Sequence, residues 1–134
     1  MGFLRGFITA LLTSSVSLRN CGDSLADQAV ITGYGFSPSS PNAGDATELW
    51  VAYDLKSELT GGTATYTYKL NGLPFSPTVE DLCTQTTCPK SAGAQNETSH
   101  STFPSGISGK VVTQIQWKNS TNQPVWCLET TFNI

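Results

Sequence analysis

From Ala29 to the C-terminus the chain repeatedly alternates apolar and polar residues with a period of two, and no stretch after Cys21 sustains the period of a helix. This confines the chain to strands, each with one face to bury. A first strand is expected to carry Val30, Thr32, Tyr34 and Phe36 on one face and Ala29, Gly33 and Gly35 on the other. After a Pro- and Gly-containing loop from Pro38 to Gly44, Leu49, Val51, Tyr53 and Leu55 alternate with Glu48, Trp50, Ala52 and Asp54. Gly61-Gly62 leads into Ala64, Tyr66, Tyr68 and Leu70, and Asn71-Gly72 offers a tight hairpin turn. Leu73-Pro74-Phe75-Ser76-Pro77 reads as an extended or edge segment, because a proline cannot donate to a strand ladder. Lys90 to Ser99 reads as polar surface. The last two strands carry Val111, Thr113, Ile115 and Trp117, then Trp126, Leu128, Thr130, Phe132 and Ile134, joined by a turn from Asn119 to Pro124. About seven short strands with this punctuation predict an all-β fold, an immunoglobulin-like antiparallel sandwich of two sheets.

At 134 residues, with 38% hydrophobic and only 13% charged positions, one folded domain is expected. Residues 1–17 resemble a secretory signal: Arg5, a short apolar run from Gly6 to Leu12, then Thr13-Ser14-Ser15, with the cut expected after Ser17. The mature domain is then 18–134, secreted or delivered to a lysosomal or vacuolar lumen. Cys21, Cys83, Cys88 and Cys127 all lie in it, an even number suited to two disulfides in an oxidising compartment. Of the three possible pairings the economical one joins Cys83 to Cys88 and Cys21 to Cys127. A four-thiolate zinc site is the weaker reading, since the pairs lack a repeated C-x2-C spacing. Asn96-Glu97-Thr98 and Asn119-Ser120-Thr121 are sequons, making Asn96 and Asn119 candidate glycosylation sites.

A net charge of -3 argues against nucleic acid as a partner. With one histidine, His100, a Ser-His-Asp centre has little material, and alternation puts the carboxylates Glu48 and Asp54 on the outer face. Glu80-Asp81 reads as a solvated loop pair. The chain is therefore expected to be a non-enzymatic protein without metal or cofactor. The inward faces are rich in aromatic residues, among them Tyr34, Phe36, Tyr53, Tyr66, Tyr68, Phe75, Phe103, Trp117, Trp126 and Phe132. Alternation alone does not distinguish a filled core from a hollow one. A filled core would suit a secreted recognition or adhesion module, with Trp50 on the polar face as its anchor.

Several motifs together resemble the ML lipid-recognition domain family, whose branches include sterol- and phospholipid-transfer proteins. They are Cys21-Gly22, the Leu73–Pro77 run leading to Asp81-Leu82-Cys83 and Cys88-Pro89, Gly109-Lys110-Val111-Val112, Trp117, and Trp126-Cys127-Leu128-Glu129. The resemblance implies two splayed sheets around an apolar pocket, the same two disulfides, and a lipid ligand. It matches Phe75 to the aromatic residue that gates the pocket, Tyr34 and Phe36 to walls on the first strand, and Ile115, Trp117 and Leu128 to walls on the last two. The remaining pocket candidates are the inward residues Leu49, Val51, Tyr53, Tyr66, Tyr68, Leu70, Val111, Trp126 and Phe132, together with Pro77, and Phe103 and Ile107 join Phe75 as movable lip residues. Tyr66, Tyr68 or Thr113 would orient a polar headgroup near the mouth. Two positions depart from the family pattern: Ser37-Pro38-Ser39-Ser40-Pro41 replaces the extra disulfide of the sterol-transfer branch, and Ser105-Gly106-Ile107-Ser108-Gly109 replaces a tyrosine-proline pair. The expected activity is reversible, noncovalent binding and transfer of a sterol or phospholipid by a monomer, with transient membrane or membrane-protein contact.

Overall fold

The computed structural model describes residues 15–106 and 108–133. In chain order these form β1 (Ser15–Asn20), β2 (Ala29–Ser37), β3 (Ala46–Leu55), β4 (Gly62–Leu70), β5 (Leu73–Pro74), β6 (Thr78–Asp81), α1 (Leu82–Gln85), β7 (Gly93–Thr102), β8 (Lys110–Asn119) and β9 (Pro124–Asn133). The larger antiparallel sheet has the order β1-β9-β8-β4-β5, with β6 also paired to β4, and the smaller has the order β2-β3-β7. This is the immunoglobulin-like sandwich that the alternation predicts. The sheets come closest where β2 meets β1 and β9. The space between them therefore lies toward the other side, where β3 and β7 face β4, β8 and β9.

Register fixes which faces are inward. Ala64, Tyr66, Tyr68 and Leu70 of β4 stand opposite Trp117, Ile115, Thr113 and Val111 of β8. Ile115, Trp117 and Val111 stand in turn opposite Leu128, Trp126 and Phe132 of β9. The β4–β5 hairpin turns at Asn71 and Gly72, both at positive φ (50° and 83°), the conformation that a two-residue Asn-Gly turn supplies. Pro74 sits where expected, on an edge strand.

Three expectations are corrected. Val30 and Thr32 do not share a face with Tyr34 and Phe36, because the β2–β3 register skips a residue between Ile31 and Gly33. Ala29 and Ile31 face inward opposite Leu55 and Tyr53, and beyond the bulge Tyr34 and Phe36 take over opposite Val51 and Leu49. The second correction concerns Lys90 to Ser99: Gly93–Thr102 is strand β7, an edge of the smaller sheet, paired with β3 along its length. Its polar side chains give no apolar contrast from which a strand could be read. His100 accordingly sits on that strand. Glu80 and Asp81 likewise end β6, and Asp81 caps α1 by accepting from the Cys83 N–H at 2.8 Å.

The outer face of the smaller sheet explains Gly33 and Gly35. The Trp50 indole lies over both, and a side chain at Gly35 would overlap its ring nitrogen. Trp50 is thus half-buried on this face rather than projecting from it. Both disulfides are the expected ones: Cys21–Cys127 (Cα–Cα 5.0 Å) ties the segment after β1 to β9, and Cys83–Cys88 (Cα–Cα 5.4 Å) closes the loop after α1. The buried core gathers Ala29, Val51, Tyr53, Leu55, Leu59, Ala64, Leu82, Trp117, Val125, Trp126 and Leu128. The expected leader overlaps β1 by three residues, Ser15 to Ser17, which pair with Asn133, Phe132 and Thr131; the rest of it lies outside the described residues.

Candidate functional site

Two adjoining cavities occupy the space between the sheets, of about 290 Å³ and about 130 Å³. Leu49, Tyr66, Ser99 and Ile115 line both, so the two lie side by side as the larger and smaller ends of the gap between the sheets. At the larger end β2, β8 and β9 contribute Phe36, Val111 and Phe132, with Tyr68 from β4 and Phe103 from the segment after β7. Phe132 stacks edge-on against Phe36 (5.5 Å between centroids) and Phe103 (5.3 Å). At the smaller end Val51, Trp117, Trp126 and Leu128 form the walls.

The other sequence candidates lie elsewhere. Tyr53 is 1% exposed and stands behind the wall, its ring 5.9 Å from Trp117 and 6.0 Å from Trp126. Tyr34 and Phe75 are 39% and 56% exposed, and neither lines the hollow; nor do Leu70 and Pro77. Phe75 nevertheless sits beside a wall residue, because its N–H donates to the Tyr68 carbonyl at 2.9 Å. Ile107 lies outside the described residues. Of the sequons, Asn96 is exposed on the outer face of β7. Asn119 organises the β8–β9 turn: its Oδ1 accepts from Thr121 and Gln123 backbone N–H groups, and its Nδ2 donates to Gln123 Oε1.

Sequence reasoning missed the polar wall. Gln95, Glu97, Ser99 and Ser101 of β7 share the inner face with Tyr53, Val51, Leu49 and Thr47 of β3. Glu97 and Ser99 line the smaller end with Gln85, and Ser99 and Ser101 line the larger end with Thr47, Thr113 and Thr130. An apolar-in rule does not find such residues; the only available signal was their two-residue spacing.

Among the described residues Glu97 is the one charged side chain on the walls, and no Lys, Arg or His lines either end. Its carboxylate accepts from the Tyr53 hydroxyl (3.1 Å) and the Thr86 hydroxyl, and pairs with Lys90 Nζ at 3.1 Å. Burial, reinforced by the Glu97 charge and hydrogen bond, pushes the Tyr53 phenol far above its ordinary range, so it remains a donor. The Tyr66 hydroxyl donates to Gln85 Oε1 at 2.8 Å and is raised by its own burial, with smaller contributions from Tyr68 and Glu80. The Trp126 indole Nε1 is buried with no hydrogen-bond partner among the described residues. The arrangement suits noncovalent burial of an apolar body, with hydrogen-bonding groups concentrated at the smaller end.

Comparison with known proteins gives the fold a family. Chicken MD-1, solved in complex with lipid IVa, superimposes with a TM-score of 0.68 at 16% identity, covering 90% of each chain. A Niemann-Pick type C2 protein from Japanese carpenter ant gives a TM-score of 0.64 at 11% identity, covering 86% of this chain and 96% of that one. No curated protein sequence matches significantly. The sequence model of the ML domain, however, matches residues 15–134, the whole of the sandwich, and with that match this chain belongs to the ML-domain family.

Proposed function

We propose that this protein binds one lipid noncovalently between its two sheets and carries it between membranes or membrane proteins. The observation that carries this reading is the larger cavity between the sheets, walled by Phe36, Leu49, Val111, Ile115 and Phe132, with the smaller one beside it. Moving apolar surface out of water contributes about 25 cal/mol per Å², so such a hollow gains affinity without needing specific hydrogen bonds. At about 290 Å³ its larger end is near the lower limit of small-ligand sites. One acyl chain or the body of a sterol is the scale of guest that it suits. Exposed Phe75 beside Tyr68, together with Phe103 and Ile107, would form the movable lip, and Tyr34 would flank the open side of β2.

Two disulfides, family membership and the leader-like N-terminus support action in a secreted or endolysosomal setting, by a monomer with no catalytic step. N-terminal sequencing of the secreted protein would decide whether cleavage spares Ser15–Ser17 of β1. To test the carrier reading, delipidated protein is titrated with a fluorescent sterol and a fluorescent phospholipid. Saturable binding of one lipid per chain is expected for at least one of them; uptake of neither would contradict it.

A further inference from the structure

The outer face of the smaller sheet brings together two features that lipid binding leaves unused, the Trp50 indole and the Asn96-Glu97-Thr98 sequon. Pairing sets Gly33, Ala52 and Asn96 side by side in one row across β2, β3 and β7, and Gly35, Trp50 and Thr98 in the next. Both rows face outward, because the buried Val51 and Tyr53 alternate with Trp50 and Ala52 along β3. Trp50 leans out of its own row toward β2. A Cβ at Gly35 would overlap its Nε1, and one at Gly33 would meet its Cη2 and Cζ3 at 3.3 Å. The six-membered ring therefore reaches the row that holds Asn96. Glycine weakens a strand interior, and here two of them let the indole lie along the sheet. Within the Asn96 row only the Ala52 methyl stands between the asparagine and the ring. Neighbouring strands lie about 4.8 Å apart, so the row spans roughly 10 Å from Asn96 to Gly33, a length that two linked pyranose rings cover. Asn96 and Thr98 are exposed, and Trp50 is half-buried. The other sequon is differently placed, since Asn119 holds the β8–β9 turn through its own amide.

Resting on the secretory setting proposed above and not on the lipid, we infer that Asn96 carries an N-linked glycan whose first sugars fold back across Ala52 and stack on the Trp50 indole. The modification joins Asn96 Nδ2 to C1 of the first sugar. The bond from C1 to the pyrophosphate of a polyprenyl-linked oligosaccharide breaks, the polyprenyl pyrophosphate leaves with the bonding electrons, and Nδ2 releases one proton. A pyranose presents a face of C–H groups, which matches the electron-rich face of an indole, while its hydroxyls stay in water at the rim. Covering the ring removes apolar surface from solvent and stabilises the sheet.

The test expresses the full chain in a eukaryotic secretory host beside Asn96→Gln, Trp50→Ser and the double variant. Peptide mass analysis should find sugar on the Asn96 peptide. Trp117 and Trp126 are buried, so acrylamide quenching of tryptophan fluorescence reads Trp50. Losing the glycan in Asn96→Gln should raise the quenching constant about twofold, because the ring is uncovered. The same variant should melt roughly 2 to 6 °C below the wild type, whereas in the Trp50→Ser background the substitution should move Tm by less than about 1 °C. Should Trp50→Ser fail to fold, Thr98→Val, which abolishes the sequon and keeps the strand, should raise the quenching as Asn96→Gln does. An unmodified Asn96 in the secreted protein, quenching unchanged by loss of the glycan, or a melting shift that is absent or persists without Trp50 would overturn this inference while leaving the secretory setting intact. A chain retained in the cytosol would remove that setting itself, and this inference with it; lipid titration of the same samples keeps the carrier reading separately testable.

Discussion

Two aromatic trios occupy the space between the sheets, and they have opposite surroundings. Tyr53, Trp117 and Trp126 meet with centroids 4.6 to 6.0 Å apart inside the buried core, alongside Leu55, Leu82 and Val125. Phe36, Phe103 and Phe132 make equally close edge-on contacts, at 5.3 and 5.5 Å, but stand outside that core and face the larger end of the hollow. Aromatic contact geometry alone therefore does not separate structural residues from site residues. What separates them is how much of the hollow each borders. Tyr53 lines neither end and Trp117 and Trp126, 4% and 3% exposed, wall only the smaller one, so this trio should chiefly carry stability, whereas all three phenylalanines line the larger end and should chiefly carry binding.

The largest effect expected on the first side comes from the bridge that ties β9 to the segment after β1. With a sequence separation of 106, replacing Cys21 and Cys127 by Ser should cost about 4 to 5 kcal/mol in the chain-entropy account, against about 2 for the Cys83–Cys88 pair, whose separation is 5. Urea unfolding measures both, and equal losses would break the expected ranking. Next, Trp117→Ala should cost about 3 to 5 kcal/mol, since it removes a 4%-exposed ring from between Tyr53 and Trp126. Phe132→Ala, at the open end, should cost less than about 2 kcal/mol of stability while weakening lipid binding at least about tenfold. If Phe132→Ala instead proved as destabilising as Trp117→Ala, the distinction between the trios would fail.

The smallest effect lies on the outer face of the larger sheet, away from either trio. Glu129 accepts from Arg19 Nε and Gln114 Nε2, both at 2.9 Å, and these partners hold its carboxyl below the usual range, Arg19 chiefly. A folded-state pKa below the unfolded one means stability that is complete above about pH 4.3 and is lost as pH falls through the folded value. Because Arg19 is mostly exposed, the slope should be slight. Glu129→Gln should flatten it in denaturant titrations run at a series of acidic pH values; an unchanged slope would mean that another carboxylate governs that window.

Much of this architecture was legible in the sequence, where apolar contrast was strong. The alternations of β4, β8 and β9 place Tyr66, Ile115, Trp117 and Leu128 on the faces where they are found, and Asn71-Gly72 marks its hairpin. Two things were hidden for physical reasons. The bulge at Thr32 reverses the faces of β2 midway, and neither Ile31 nor Thr32 announces it, since a skipped residue depends on pairing with β3. Strand β7 escaped because its inward residues Gln95, Glu97, Ser99 and Ser101 are polar, the last three lining the hollow rather than a packed interior. That failure is informative. A polar inner wall is tolerated where the opposite sheet stands away, so the strand hardest to read is also the one that gives the site its hydrogen-bonding chemistry.

The most direct measurement of whether the sheets stand apart around a guest is a crystal structure of the protein saturated with whichever lipid, sterol or phospholipid, it binds. The account predicts ligand density in the larger end, beside the Phe36–Phe132 pair and Ile115, with the tryptophan trio unmoved. Phenylalanine rings interleaved across the gap, leaving no passage between β3 and β8, would contradict it.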